Sequence, residues 1–272
     1  MPLGADAGKP VRFIILTNGR SGSNFVVNIL NQHPNIVNYG EILGEWTLPH
    51  KLYKRLRWAT RWDWAGFIDW FLSSRIAHAI GQWRSTKAHG ERGGTRKAKP
   101  FSSIRAIGFK DFFFLIERND LADFVKHGDF RIIYLSRSDS LARAVSLQRM
   151  AVSGQAVQHQ AVKNQAIVID TDQLVRDLNA MAEEQKGEDA LIAAIDPSRL
   201  MHIEYQDYFF DPKRMDVINQ SMFEFLGVAP CTVQAEHRKM SGASLSNEIS
   251  NLEMVKTVLS KSPHAALVSA LD

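Results

Sequence analysis

Two apolar rhythms alternate along the chain. Short β-branched runs recur at Arg12–Thr17, Ile36–Tyr39, Ile104–Lys110, Arg131–Ser136 and Leu200–Glu204, and each reads as a strand buried on both faces. Between them apolar residues return every three to four positions, which predicts helices over Ser23–Gln32, Phe114–Lys126, Ser138–Met150, Thr171–Glu184 and Pro212–Leu226. Strands alternating with helices imply βαβ units, so the expected fold is α/β: a three-layer arrangement with a parallel sheet flanked by helices. The helix ends are well marked. Ser138 or Asp139 can cap the third predicted helix, and Asp211-Pro212 offers a cap followed by proline at the first helical position, with Gly227 closing that helix.

Three segments break the alternation. Lys51–Trp83 reads as one or two amphipathic helices with bulky aromatics, and Arg84–Pro100, polar, basic and glycine-bearing, reads as a mobile loop. The chain after Pro230 is polar until Asn247 and then helical to about Ser260. No internal repeat is present. At 272 residues and 45% apolar content the chain is long enough for one large domain with a full core, and 1–272 is read as a single domain with 51–100 as an insertion.

Charge sharpens the picture of that insertion. Residues 51–100 hold twelve Lys and Arg against three acidic residues, a surplus of nine, while the rest of the chain has a deficit of five; the net is +4. All six tryptophans lie in or beside the same stretch. Tryptophan stacks on sugar faces, and Lys or Arg can meet anionic groups on a glycan. A basic helix with an aromatic side can instead lie on a membrane surface, and a plain helical cap on the sheet is the third reading. Charge confined to one insertion argues against nucleic acid as a partner. One cysteine, Cys231, excludes an internal disulfide and fits a reducing compartment. Met1–Pro10 has no apolar core and does not read as a signal peptide, and no apolar stretch approaches bilayer length. A cytoplasmic protein is expected, with surface contact to a membrane through 51–83 as an option.

The richest chemistry lies where the first strand breaks into Thr17-Asn18-Gly19-Arg20-Ser21-Gly22-Ser23 and opens onto a helix. The first turn of a helix has backbone N–H groups with no internal partner, the dipole is positive there, and Arg20 adds a full charge. Such a loop is a trap for phosphate or sulfate. It is not a Walker A loop, because Ser23 and Asn24 follow Gly22 where that motif requires Lys and Ser or Thr. The cation precedes the Ser-Gly pair, which disfavours a P-loop kinase or ATPase and calls for no metal. A second cation, Arg137, ends the fourth strand, with Ser146 nine positions on in the next helix. A guanidinium and a hydroxyl so spaced can converge on another anionic group.

With these residues the chain resembles the sulfotransferases that use 3′-phosphoadenosine 5′-phosphosulfate (PAPS). Arg20-Ser21-Gly22-Ser23 resembles their 5′-phosphosulfate loop, and Tyr134–Asp139 through Ser146 resembles their 3′-phosphate motif. Phe13–Leu16, His33-Pro34, Gly40-Glu41, Gly108-Phe109-Lys110, Ile203-Glu204-Tyr205, Asp211-Pro212 and Phe225-Leu226-Gly227 are similar to the bacterial carbohydrate sulfotransferases that modify Nod factor and trehalose. The resemblance implies a P-loop-like sheet and PAPS as donor co-substrate. It implies donor contacts at Arg20, Ser21, Gly22, Ser23, Asn24, Arg137 and Ser146, and at Arg238 and Lys239 in a basic tail that closes on the nucleotide. It implies Glu41 as general base, with Glu45 as rival, Arg20 against charge on the leaving phosphate, and Lys110 reaching the sulfuryl group. The acceptor would be a carbohydrate or glycolipid, with 51–100 as a lid over it. His33 reads as structural and Cys231 as incidental. A non-catalytic glycan- or membrane-binding protein on the same fold is the remaining alternative.

Overall fold

The computed structural model describes residues 9–90, 98–153, 166–234 and 245–271. Strand β1 (Val11–Thr17) leads through the Arg20 loop to α1 (Ser23–Gln32) and β2 (Ile36–Asn38). Three helices follow, α2 (Leu48–Thr60), α3 (Trp64–Ser73) and α4 (Arg75–Gly90), before β3 (Ala106–Phe112). Next come α5 (Phe113–Arg118), α6 (Ala122–His127), β4 (Arg131–Ser136) and α7 (Ser140–Ser153). The last elements are α8 (Thr171–Ala193), β5 (Leu200–Glu204), α9 (Tyr205–Phe209), α10 (Pro212–Phe225) and α11 (Leu252–Ser260). Among the described residues no helix is long and apolar enough to cross a membrane.

The five strands form one sheet in the order β2-β3-β1-β4-β5, with every pairing parallel. One face, with Ile14, Leu16, Phe109, Ile132 and Tyr134, packs on the helices from α2 to α6 and the end of α8. The other face, with Phe13, Ile15, Ile133, Leu135 and Ile203, packs on α1 and α10. Helix α1 turns Phe25, Val26, Ile29 and Leu30 inward, and each buried side chain contributes roughly 1.5–3 kcal/mol. A third apolar cluster joins α7, α8 and α11. Chain direction across the sheet reverses at β1: the early strands go to one side and β4 to the other. The crevice beyond the carboxyl ends of β1 and β4 is therefore the topological switch point, where ligands bind in open parallel sheets.

Several boundaries differ from the periodicity for identifiable reasons. The helix expected over Phe114–Lys126 is split into α5 and α6, because Asp120 takes a left-handed φ of 54°. The helix expected to stop at Glu184 runs on to Ala193, because Glu188 is buried at a position where the pattern needed an apolar residue. Strand β3 continues past Lys110 to Phe112. The basic stretch from Arg84 is helical through Gly90 as the end of α4, a correction to that part of its reading as loop, and the described residues of the insertion form three helices. Its tryptophans divide. Trp64 is buried, Trp62 and Trp70 pack partly against the core, and Trp46, Trp58 and Trp83 are exposed. One of its cations is structural: Lys99 Nζ donates to the carbonyls of Asn31, His33 and Ile36 at 2.7, 2.8 and 2.6 Å, satisfying the end of α1.

Candidate functional site

The loop after β1 is held from below before it meets any ligand. The Thr17 hydroxyl donates to the carbonyl of Leu135 in β4 at 2.9 Å and contacts the Ser21 hydroxyl, which donates to the Asn18 carbonyl at 2.8 Å. Ser21 is thus turned inward and buried, and its hydroxyl shapes the loop. Arg20 takes a left-handed φ of 67° and Gly22 one of 78°. Gly22 is the N-cap of α1 with no side-chain hydrogen bond, so the first-turn N–H groups of Ser23 and Asn24 are left for a ligand. A Cβ at Gly22 would lie 2.5 Å from two carbons of the Phe209 ring. Gly22→Ala combines that overlap with left-handed strain. It is expected to cost roughly 2–4 kcal/mol, read as a lower urea midpoint, and to weaken anion binding with it.

Arg20 reaches across to α7, where its Nε donates to Ser146 Oγ at 2.9 Å. Arg137, at the end of β4, donates from Nη1 to the Arg20 carbonyl at 2.8 Å and lies 4.3 Å over the Tyr205 ring. Its buried Nε has no hydrogen-bond partner among the described residues. Burial first, and then the neighbouring Arg137 guanidinium, pull Arg20 below its ordinary pKa; burial does the same for Arg137. Two partly buried guanidiniums beside an uncapped helix start form a site that an anion relieves. Arg137 and Ser146, expected to converge on one anionic group, both also contact Arg20, so the loop and the second motif adjoin. Arg238 and Lys239 lie outside the described residues.

A second group stands on the neighbouring strand. Lys110 in β3 is opposite Ile15 of β1 in register, so it shares the sheet face that carries α1. Its side chain is buried, lies 4.3 Å over the Phe112 ring, and its Nζ makes a short ion pair with Glu41 Oε1. The other Glu41 oxygen accepts the Trp46 indole N–H at 2.7 Å. Trp46 folds back over Gly44 so closely that a Cβ there would meet its ring at 2.4 Å. The segment is pinned by Asp111, whose Oδ2 accepts the backbone N–H groups of Ile42 at 2.9 Å and Leu43 at 2.8 Å. Burial pushes the Asp111 carboxyl up to about 6. Glu45 is placed differently: it is exposed and paired with Arg118 at 3.1 Å. His33 is buried; its Nδ1 accepts from Asn35 N at 3.1 Å, so its Nε2 donates to the Ala229 carbonyl at 2.9 Å. That is a structural role, as the sequence suggested.

Four further residues shape the site. Trp46, Asp111 and Arg143 lie in the segments that follow the carboxyl ends of β2, β3 and β4, where the sequence places ligand contacts without assigning these three a role; Glu188, on α8, carries no signal in the sequence. The Asn18 amide donates to Glu188 Oε2, and Arg143 spans from the Gly19 carbonyl at 3.3 Å to Glu184 at 3.4 Å. Burial lifts the Glu188 carboxyl to about 7, against an ordinary value of 4.5. The folded state therefore holds a proton that the unfolded chain releases above about pH 4.5. The resulting stability is fully present below that pH and is lost as pH rises through about 7, a total of about 3 kcal/mol. Glu188→Gln, neutral at all pH, is expected to gain in stability over wild type as pH rises from 5 to 8; parallel Tm curves at the two pH values would contradict this.

No family model matches the chain, and no curated protein matches it. Among solved structures it is similar to a sulfotransferase from Alicyclobacillus acidocaldarius, with 14% identity, a TM-score of 0.47 and 97% of each chain covered. It is also similar to the sulfotransferase STF9 from Mycobacterium avium, with 14% identity and a TM-score of 0.45, over 93% of this chain and 76% of that one. The sulfotransferase domain from the Synechococcus PCC 7002 olefin synthase gives 14% identity and a TM-score of 0.43, over 92% of this chain and 84% of that one.

Proposed function

We propose that the chain is a cytoplasmic sulfotransferase that moves a sulfuryl group from PAPS to a hydroxyl of a carbohydrate or glycolipid. The convergence of Arg20, Ser146 and Arg137 at the uncapped start of α1 is the observation that carries this reading. The absence of a lysine after Gly22 favours activated sulfate over a nucleoside triphosphate. The buried, unpartnered Nε of Arg137 fits a phosphate-bearing ligand.

PAPS supplies an activated sulfuryl group whose departing partner is a stable phosphate. The first-turn N–H groups of α1 and the Arg20 guanidinium oppose the charge that gathers on that phosphate. Glu41 takes the proton of the acceptor hydroxyl as the new O–S bond forms and the old S–O bond breaks. Lys110 orients Glu41 from the strand beneath and presents positive charge toward the transferred group. The Trp46 ring, exposed and hydrogen-bonded to Glu41, offers a stacking surface for a sugar next to the base. Glu45, turned to Arg118, is the weaker candidate for the base.

The test is thermal shift with adenosine 3′,5′-bisphosphate and with Mg-ATP, followed by labelled donor over a panel of glycans, glycolipids and small alcohols. The bisphosphate should stabilise by about 2.7 kcal/mol at a hundredfold excess over Kd. Stabilisation by Mg-ATP alone would overturn the assignment.

A further inference from the structure

The insertion presents two helix faces that the core does not use. On α2, His50 and Tyr53 turn inward, while Lys51, Lys54, Arg55 and Trp58 recur at helical spacing on the outer side, all exposed, with Trp58 at 85%. On α4 the outer positions are Ile76, Ala79, Ile80 and Trp83, again one stripe; Ile76 is 71%, Ile80 48% and Trp83 62% exposed. Arg75 and Arg84 flank that stripe and are exposed too. Neither helix contains an Asp or Glu. Both helices are joined to the candidate site. Helix α2 starts two residues after Trp46, and His78 on α4 is hydrogen-bonded to Tyr39 at 3.0 Å, two residues before Glu41.

An outward row of isoleucines and tryptophan on a surface helix is unusual in a monomer and marks an interaction face. Its occupant must be apolar enough to take Ile76 and Ile80 and anionic enough to accept Arg75 and Arg84 beside them and the exposed cations of α2. A second copy of the chain fails the charge requirement, since it would bring together two insertions each with a surplus of nine positive charges. A polynucleotide meets the charge but gives an aliphatic stripe no hydrocarbon to enter. A lipid surface meets both: aliphatic side chains enter the acyl boundary, tryptophan settles at the headgroup level, and Lys and Arg face anionic headgroups. We propose that the outer faces of α2 and α4 dock this protein peripherally on an anionic membrane surface. This docking stands apart from the reaction assigned above, so the two can fail separately.

The test is sedimentation of the full chain with vesicles of phosphatidylcholine, with and without phosphatidylglycerol, at low and high salt. Binding is expected only with the anionic lipid and should weaken with salt. Each headgroup-facing cation contributes roughly fivefold, so Lys51→Gln/Lys54→Gln/Arg55→Gln should lower partitioning by about a hundredfold. Ile76→Gln/Ile80→Gln leaves charge unchanged and should lower it at least tenfold, and the tryptophan emission of the wild type, to which Trp58 and Trp83 contribute, should shift blue on vesicles. Circular dichroism and Tm check that both variants, exposed in wild type, remain folded. Three results overturn the proposal: no difference between the two vesicle types; loss with the cation variant but none with the isoleucine variant, which indicates attraction to any polyanion; or a dimer in solution that Ile76→Gln/Ile80→Gln dissolves.

Discussion

Glu41→Gln is expected to lower turnover by about a thousandfold while changing bisphosphate nucleotide affinity by less than about threefold. General-base catalysis is worth typically 10²–10⁴-fold, and Gln keeps the shape and the Trp46 hydrogen bond while losing proton affinity. Stability falls as well, because Lys110 is buried and loses the partner of its ammonium. Breaking one side of a buried pair costs about 3–5 kcal/mol at full burial, and less here since Glu41 is partly open to solvent. Glu41→Gln/Lys110→Met separates the two effects: Tm should recover toward wild type while turnover stays low. Weakened nucleotide binding with intact chemistry in Glu41→Gln would remove Glu41 from the base role.

Arg137→Ala should weaken bisphosphate nucleotide binding by about a hundredfold, measured by calorimetry or thermal shift. A charge-assisted hydrogen bond contributes about 1.5–3 kcal/mol, and this guanidinium also holds the Arg20 carbonyl and with it the loop. Arg137→Lys is expected to recover little. A lysine cannot at once lie flat on Tyr205, donate to Arg20 and present a further N–H to a ligand. Unchanged affinity in Arg137→Ala would move the second anionic contact elsewhere, and the loop would stand alone as the anion site.

Much of the scaffold was legible in one dimension because it is specified locally. Strands β4 and β5 and helix α1 have the bounds read from period and punctuation. Asp211 caps α10 through the N–H groups of Lys213 and Arg214, and Asp139 accepts from Ala142 N at 2.8 Å at the start of α7, as their positions announced. The failures share a cause. Glu188 interrupts the apolar period of α8 because its partner, Asn18, is 170 residues away. Asp111 is a strand-end carboxylate until Ile42 and Leu43 fold over it. Side chains whose burial is justified by a distant hydrogen bond look polar and external in a sequence.

Local patterning, then, was enough for the α/β alternation, the Gly/Ser loop between β1 and α1 with its cation ahead of the Ser-Gly pair, and a basic, tryptophan-rich insertion. These follow from dihedral preferences, helix ends and the spacing of apolar residues, all acting over a few positions. Strand order was decided only by packing, and it set β4 beside β1. That brought Ser146 and Arg137, 126 and 117 positions from Arg20, to one wall. Packing also turned three tryptophans inward and left Trp46, Trp58 and Trp83 outside. Which side of a helix meets the sheet depends on every other element competing for that face, and no window of residues holds that information.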